Sequence, residues 1–269
     1  MKKLALVLGG GAAKGYAHLG LLQELEKNGV KPDLIVGTSM GALVGGLYAS
    51  GISLKEMQEY ALNFNSMGNF SLASTMFNGN LLNVDKVKKF LKKAFGDKNH
   101  EDCDIQFVAV ASNLDNGEEM DFDTGLLRET VLASISIPAA FPTVKIGNNH
   151  YCDGGLVNNL PEDVARRMQP DAVIVSLDVI GPYDMQVEKH SFKMMQNLVN
   201  LCNLMTQKVV GLKPKMADLR IVISQPRVKL LDFSEESVKR AIQKGRQVAR
   251  EHMEQILDLI KGETDEFNQ

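Results

Sequence analysis

Two short apolar runs each break abruptly into glycine, and that pairing restricts the chain to very few folds. Leu4-Ala5-Leu6-Val7-Leu8 runs straight into Gly9-Gly10-Gly11, and Leu34-Ile35-Val36 runs into Gly37-Thr38-Ser39-Met40-Gly41. Runs this short read as strands buried on both faces, because a helix needs about ten residues or more to bury a face. The residues after each turn have helical periodicity. Gly15 to Asn28 puts Leu19, Leu22 and Leu25 on one side, and Ala42 to Ser50 is a small-residue helix closed by Gly51. Strand–turn–helix units in series predict a three-layer α/β/α sandwich around a mostly parallel central sheet.

The rest of the chain continues the alternation. Val84 to Phe95 reads as an amphipathic helix, Ile105 to Ala111 as a buried strand, and Asn116-Gly117 as a hairpin turn into Glu119–Phe122. Leu126 to Ser134 is helical. Ser136-Ile137-Pro138 then opens a loop that returns through His150-Tyr151-Cys152 to Asp153-Gly154-Gly155. Ala172–Leu177 and Leu219–Ile223 complete the strands, and Phe192–Val210 and Ser234–Lys261 the helices. The apolar residues of the first of these helices, Met194, Met195, Leu198, Leu201, Leu204 and Met205, predict a core or subunit interface rather than a lipid sensor. Lys86, Lys89 and Lys93 predict a solvated face. No repeat, low-complexity tract or linker divides the chain, so residues 1–269 are expected to form one domain, with its motifs in 4–179 and completing elements in 180–269.

Bulk properties exclude several classes. A formal net charge of -3 leaves no basic footprint for nucleic acid. Cys103, Cys152 and Cys202 are too few and too scattered for a disulfide framework or a zinc site, which favours a reducing cytosol. The apolar run after Lys3 is too short for a signal segment, and no stretch approaches the ~20 apolar residues of a membrane span. A soluble cytoplasmic protein is expected, with peripheral contact at the inner face of the membrane left open. Neither a metal nor a cofactor is called for, and the oligomeric state is not encoded in any motif.

The chemistry is concentrated in three places. Gly37-Thr38-Ser39-Met40-Gly41 matches G-x-S-x-G between a strand and a helix, where a Cβ at either flanking glycine would clash with a neighbouring strand or helix. That turn holds Ser39 at a helix amino end, which favours a developing anion. The Gly9–Gly15 loop fails as a dinucleotide fingerprint, because Ala12 stands where a glycine is required and Asp33 precedes its strand instead of ending it. It fails as a phosphate loop because Ala13 precedes Lys14 and Gly15 follows it. It remains suited to an oxyanion hole built from N–H groups near Gly10, Gly11 and Ala12, with Lys14 adding charge or holding the loop. Among His18, His100, His150, His190 and His252, only His150 lies in a strand-end loop, next to Asp153. Asp153, followed by Gly154 and Gly155, is the stronger partner for Ser39, although D-G-G alone is an ordinary turn.

In combination, the three elements resemble the patatin-like phospholipase family. Ala17-His18-Leu19-Gly20, Met76-Phe77-Asn78-Gly79-Asn80-Leu81-Leu82, the stretch from Ala133 to Pro142 and the stretch from Asp153 to Pro161 are similar as well. The likeness runs from about Leu4 to about Val179 and is closest to compact bacterial members. It implies a Ser39–Asp153 dyad, an oxyanion hole at Gly10, Gly11 and Ala12, and supporting roles for Lys14, Gly15, Gly37, Gly41, Gly154 and Gly155. Two positions depart from the family: Ala12 replaces the third loop glycine, and Lys14 replaces a frequent arginine. The implied activity is hydrolysis of lipid acyl esters, as a phospholipase A, lysophospholipase or carboxylesterase, with a lipid or fatty-acyl ester as partner. An acyl-thioesterase, an acyltransferase and a non-catalytic regulatory protein are the alternatives. Under this reading the uncharged Tyr60–Val84 segment is either an irregular excursion or a lid whose Phe64, Met67, Phe70, Met76 and Phe77 meet acyl chains.

Overall fold

The computed structural model describes residues 1–63, 84–138, 141–181, 194–230 and 232–262. Of the uncharged Tyr60–Val84 segment, Tyr60–Asn63 and Val84 are helical, and residues 64–83, with the side chains expected to meet acyl chains, lie outside the described residues. The strands are β1 (Leu4–Leu8), β2 (Leu34–Thr38), β3 (Gln106–Asn113), β4 (Glu119–Phe122), β5 (Val144–Ile146), β6 (Asn149–Asp153), β7 (Val173–Asp178) and β8 (Leu219–Val222). The helices are α1 (Ala17–Lys27), α2 (Met40–Ala49), α3 (Leu54–Asn63), α4 (Val84–Phe95), α5 (Leu127–Ser134), α6 (Glu162–Met168), α7 (Met194–Leu212) and α8 (Glu235–Lys261). One mixed sheet runs β5-β6-β3-β2-β1-β7-β8, and β4 also pairs with β3. The five strands β3, β2, β1, β7 and β8 are mutually parallel. The expected sandwich is therefore present, with helices on both faces.

The apolar strand residues divide by alternation. Leu4, Leu6 and Leu8 face the large core under α1, α2 and α8, while Ala5 and Val7 face a smaller one capped by Leu160, Val164 and Ala165. Helices α1 and α8 meet so closely that a methyl group at Gly20 or Gly245 would overlap the backbone of the opposite helix. The hairpin β5–β6 replaces part of the expected loop. Its strands are short and mostly polar on the outer side, and Gly147 turns them with φ 61°. Of the apolar residues expected to mark a core or subunit interface, Leu201 and Met205 of α7 lie on the surface of the single chain rather than in its core.

One arrangement on β3 governs the site. Ala111 pairs with Met120 of β4 on one edge and with Asp153 of β6 on the other, while Val110 pairs with Asp121 of β4 and with Thr38 of β2. A strand has only two edges, so β2 and β6 share the edge opposite β4. They approach from opposite directions and meet end to end, with Thr38 opposite Val110 and Asp153 opposite Ala111.

Buried and half-buried charges tie down α6. Glu162, at the start of α6, accepts hydrogen bonds from Ser176 Oγ (2.6 Å), from Arg220 Nε and Nη2 (both 2.6 Å) and from Met216 N–H (2.9 Å). It thereby ties β7, β8 and the segment after α7 to α6. Lys213, just past α7, bridges Glu119 (2.9 Å) and Asp163 (2.8 Å). Removing the cation from a buried pair leaves an uncompensated carboxylate, at a cost of about 3–5 kcal/mol. Arg220→Met is therefore expected to lose that amount in urea unfolding at pH 7, and a loss below about 1 kcal/mol would show the cluster to be solvated.

Candidate active site

The end of β2 turns into α2 at a single strained residue. Ser39 has φ 53° and ψ −122°, a conformation that costs a non-glycine residue roughly 1–3 kcal/mol. Its flanking glycines allow the turn to be this sharp. A Cβ at Gly37 would lie 2.6 Å from Ala42 N, and one at Gly41 would overlap the carbonyl oxygen of Leu8. Helix α2 thus starts against the end of β1, closer than any side chain permits.

Long-range hydrogen bonds hold the elbow. Ser39 N–H donates to Ser134 Oγ (2.9 Å), and the Ser134 hydroxyl donates in turn to Val110 C=O (2.6 Å). The Thr38 hydroxyl donates to Asn158 C=O (2.8 Å). Sequence alone assigns Ser134 no role beyond membership of a stretch similar to the family.

The end-to-end meeting of β2 and β6 brings the two expected partners together. Ser39 Oγ donates to Asp153 Oδ2 at 2.6 Å, with both residues buried. Asp153 Oδ1 accepts from Gly155 N–H (2.8 Å), its main-chain N–H donates to Ser136 C=O (2.9 Å), and its carbonyl accepts from Ser112 Oγ (2.8 Å). A Cβ at Gly154 would overlap the Val110 carbonyl oxygen, so only glycine lets the chain turn away directly after Asp153. Burial pushes the Asp153 carboxyl up to about 6, against which the hydrogen bonds from Ser39 and Gly155 pull it down.

The glycine loop packs directly on Ser39. A Cβ at Gly10 would sit 3.1 Å from Ser39 Cβ. The Gly10 N–H, however, donates to Asn159 C=O (3.1 Å), and Asn159 Nδ2 donates back to Gly10 C=O (3.3 Å). The Gly10 N–H thus already has an acceptor within the loop's own anchorage. The N–H groups of Gly11 and Ala12 meet no acceptor among the described residues. Ala12 takes φ 43°, a left-handed conformation that the departure from glycine makes costly. The loop continues through Lys14, whose N–H donates to Gly11 C=O (3.0 Å) and whose C=O accepts from Gln225 Nε2 (3.1 Å). Gly15 lies against Met40, the residue after Ser39.

Among the described residues, His18, His100, His150 and His252 make no hydrogen bond to Ser39 or Asp153, and His190 lies outside those residues. His18 Nε2 donates to Gly9 C=O (2.7 Å), and burial lowers its pKa to about 4, so the ring is neutral and props the loop from below. His150 is exposed beside Asp115. Burial also pushes the Cys103 and Cys152 thiols up to about 11, so both stay protonated near neutral pH. Among the described residues no group of three or more His, Cys, Asp or Glu side chains is placed to hold a metal ion. Ser39 and Asp153 open into a cleft with about 60 Å³ of free space, walled by Ile137, Pro138, Leu156, Ile180 and Leu230, with Cys202 and Thr206 of α7 on one side.

The patatin-like phospholipase family model matches residues 6–166. Over 182 residues the chain is 31% identical to lysophospholipase nte1 of Aspergillus fumigatus, an alignment covering 66% of this chain and 12% of that protein. Over 187 residues it is 33% identical to patatin-like phospholipase domain-containing protein 6 of Mus musculus, covering 65% of this chain and 13% of the other. The chain thus spans about an eighth of the length of these curated relatives. The crystal structure of VipD from Legionella pneumophila aligns with a TM-score of 0.49 at 15% identity, over 93% of this chain and 67% of that one.

Burial of Asp153 has a stability consequence whose sign is fixed. The folded pKa, about 6, exceeds the ordinary value of 3.8, so the folded state binds more protons than the unfolded state between those values. Stability then falls as pH rises through that window, and above it the ionised carboxylate costs roughly 3 kcal/mol. Asp153→Asn is expected to be more stable than the parent at pH 8, by about 1–3 kcal/mol in urea unfolding, and to lose that advantage below about pH 4. An equal difference at both pH values would show that the carboxylate is not desolvated.

Proposed function

The chain belongs to the patatin-like phospholipase family, and from that premise we propose that it is a serine hydrolase of lipid acyl esters acting through Ser39 and Asp153. The single observation that carries this reading is the 2.6 Å hydrogen bond from Ser39 Oγ to Asp153 Oδ2, made by a strained serine on a strand-to-helix elbow. The named activity of the relatives, lysophospholipase, favours phospholipid or lysophospholipid esters as substrates.

In this mechanism Asp153 takes the hydroxyl proton as Ser39 Oγ attacks the ester carbonyl. The N–H groups of Gly11 and Ala12 receive the oxyanion of the tetrahedral intermediate. Collapse breaks the ester bond, the departing alcohol recovers the proton from Asp153, and an acyl-enzyme remains on Ser39. Water then enters, gives its proton to Asp153 and attacks the acyl carbon. A second collapse returns that proton to Ser39 and releases the fatty acid. A carboxylate is ordinarily a weak base for a serine hydroxyl. Burial of Asp153 narrows the gap by raising its pKa, and the oxyanion donors must contribute the larger share of the barrier reduction. Ala12 holds one of these donors in a strained conformation, while His18 and Asn159 fix the loop on either side.

A fluorophosphonate probe is expected to label the wild-type protein and not Ser39→Ala. Hydrolysis of lysophosphatidylcholine and of p-nitrophenyl esters is expected to fall by about 10³-fold or more in Ser39→Ala and in Asp153→Ala. Equal labelling of both proteins would end the proposal. Because only ionised Asp153 accepts the proton, kcat/KM is expected to drop about tenfold per pH unit below about 6 and to level off above it. A profile flat down to pH 4 would exclude Asp153 as the base.

A further inference from the structure

Helix α7 has two faces of different use. At ~100° per residue, Cys202 and Thr206 lie on one side, and both line the catalytic cleft. Leu201, Met205, Lys208 and Leu212 stack on a face about a quarter-turn or more away. That face is open: Leu201 is 50% exposed, Met205 53% and Leu212 86%. Scattered exposed leucines need no explanation, but three large apolar side chains in line on one helix face form a surface that fits a partner.

Charge selects the partner. Residues 189–217 contain no Asp or Glu, but include Lys189, Lys193, Lys208, Lys213 and Lys215. Lys213 is committed inward to Glu119 and Asp163, whereas Lys208 and Lys215 are exposed. An apolar stripe accompanied only by cations is the pattern of a helix lying in the plane of an anionic lipid surface. A second copy of the chain fits less well, because a two-fold contact through this face would set its lysines against one another with no carboxylate between them.

We propose that the outer face of α7 seats the protein on an anionic phospholipid surface, with Leu201, Met205 and Leu212 at the acyl boundary and Lys208 and Lys215 at the headgroup phosphates. The element that docks is then the element that walls the cleft. A lipid drawn from the surface reaches the dyad by passing around a single helix, a thickness of about 10 Å. The substrate-delivery meaning rests on the hydrolase reading above, but seating itself requires no turnover.

The test uses the Ser39→Ala protein, so that binding is read independently of hydrolysis. It is sedimented with vesicles of equal parts phosphatidylglycerol and phosphatidylcholine, and with vesicles of phosphatidylcholine alone. Binding to the anionic vesicles is expected, weakening with salt, and reduced about tenfold or more when Leu201→Glu and Met205→Glu are added together. Lys208→Gln is expected to reduce it about fivefold. Far-UV circular dichroism and the thermal midpoint check that each variant is folded, and Leu212→Glu, at a more exposed position, supplies an independent probe of the same face. Unchanged sedimentation of the substituted proteins, equal binding to neutral vesicles, or no binding at all would overturn the proposal. So would a dimer in sedimentation velocity that the paired substitution converts to monomer, since the face would then cover a second copy. Fluorophosphonate labelling of the wild-type protein reports separately on the hydrolase reading.

Discussion

The site depends on one constraint of sheet pairing: two strands running in opposite directions share a single edge of β3. β2 arrives from one end and stops at Thr38, and β6 arrives from the other and stops at Asp153. Each strand must leave the sheet at the meeting point, because the edge beyond it is already occupied. β2 leaves through the elbow at Ser39, and β6 leaves through the turn at Gly154. The side chains at the two exits therefore face each other across a hydrogen-bond length. No loop has to fold over to bring the partners together, as the backbone ladder sets their separation.

Several local preferences are sacrificed at this junction. Ser39 and Ala12 hold positive φ without being glycine, and the carboxyl of Asp153 is taken out of water. Such features persist only where the surroundings over-determine them. Here Ser134 fastens the elbow to β3, Asn159 clamps the loop on both sides of Gly10, and His18 holds Gly9 from beneath. The remainder of the fold supplies the rigidity, with α2 starting against β1 and Glu162 joining α6 to β7 and β8.

Much of this is legible in the residues, for identifiable reasons. Leu4–Leu8, Leu34–Val36 and the apolar run after Ile105 are strands because continuous short runs have few other uses, and the glycines that close the first two mark backbone crossings that only glycine permits. Ser39 can be singled out because it sits in a local motif, and Asp153 because its D-G-G turn occurs in company with that motif and the glycine loop. Ser134 and Asn159 cannot, since they act across separations of 95 and 149 residues through single polar atoms, and a lone serine or asparagine carries no local signature. The β5–β6 hairpin reads as loop because its strands are too short and too polar for alternation to register. The occupied N–H of Gly10 likewise depends on a partner far along the chain. For α7, apolar content suggests burial, whereas the fold turns part of its stripe outward.

The short stretch from Asp153 to Asn159 touches every working part. It carries the Asp153 carboxyl, its Asn158 carbonyl receives the Thr38 hydroxyl beside Ser39, and its Asn159 grips the glycine loop by both main chain and side chain. These components consequently behave mechanically as one body. A thermal fluctuation large enough to displace one of them must carry the others along or break several buried hydrogen bonds together. Such a centre has little room for graded, partly assembled forms: it is either whole or lost, and variation that tunes it has to work from outside this clamp.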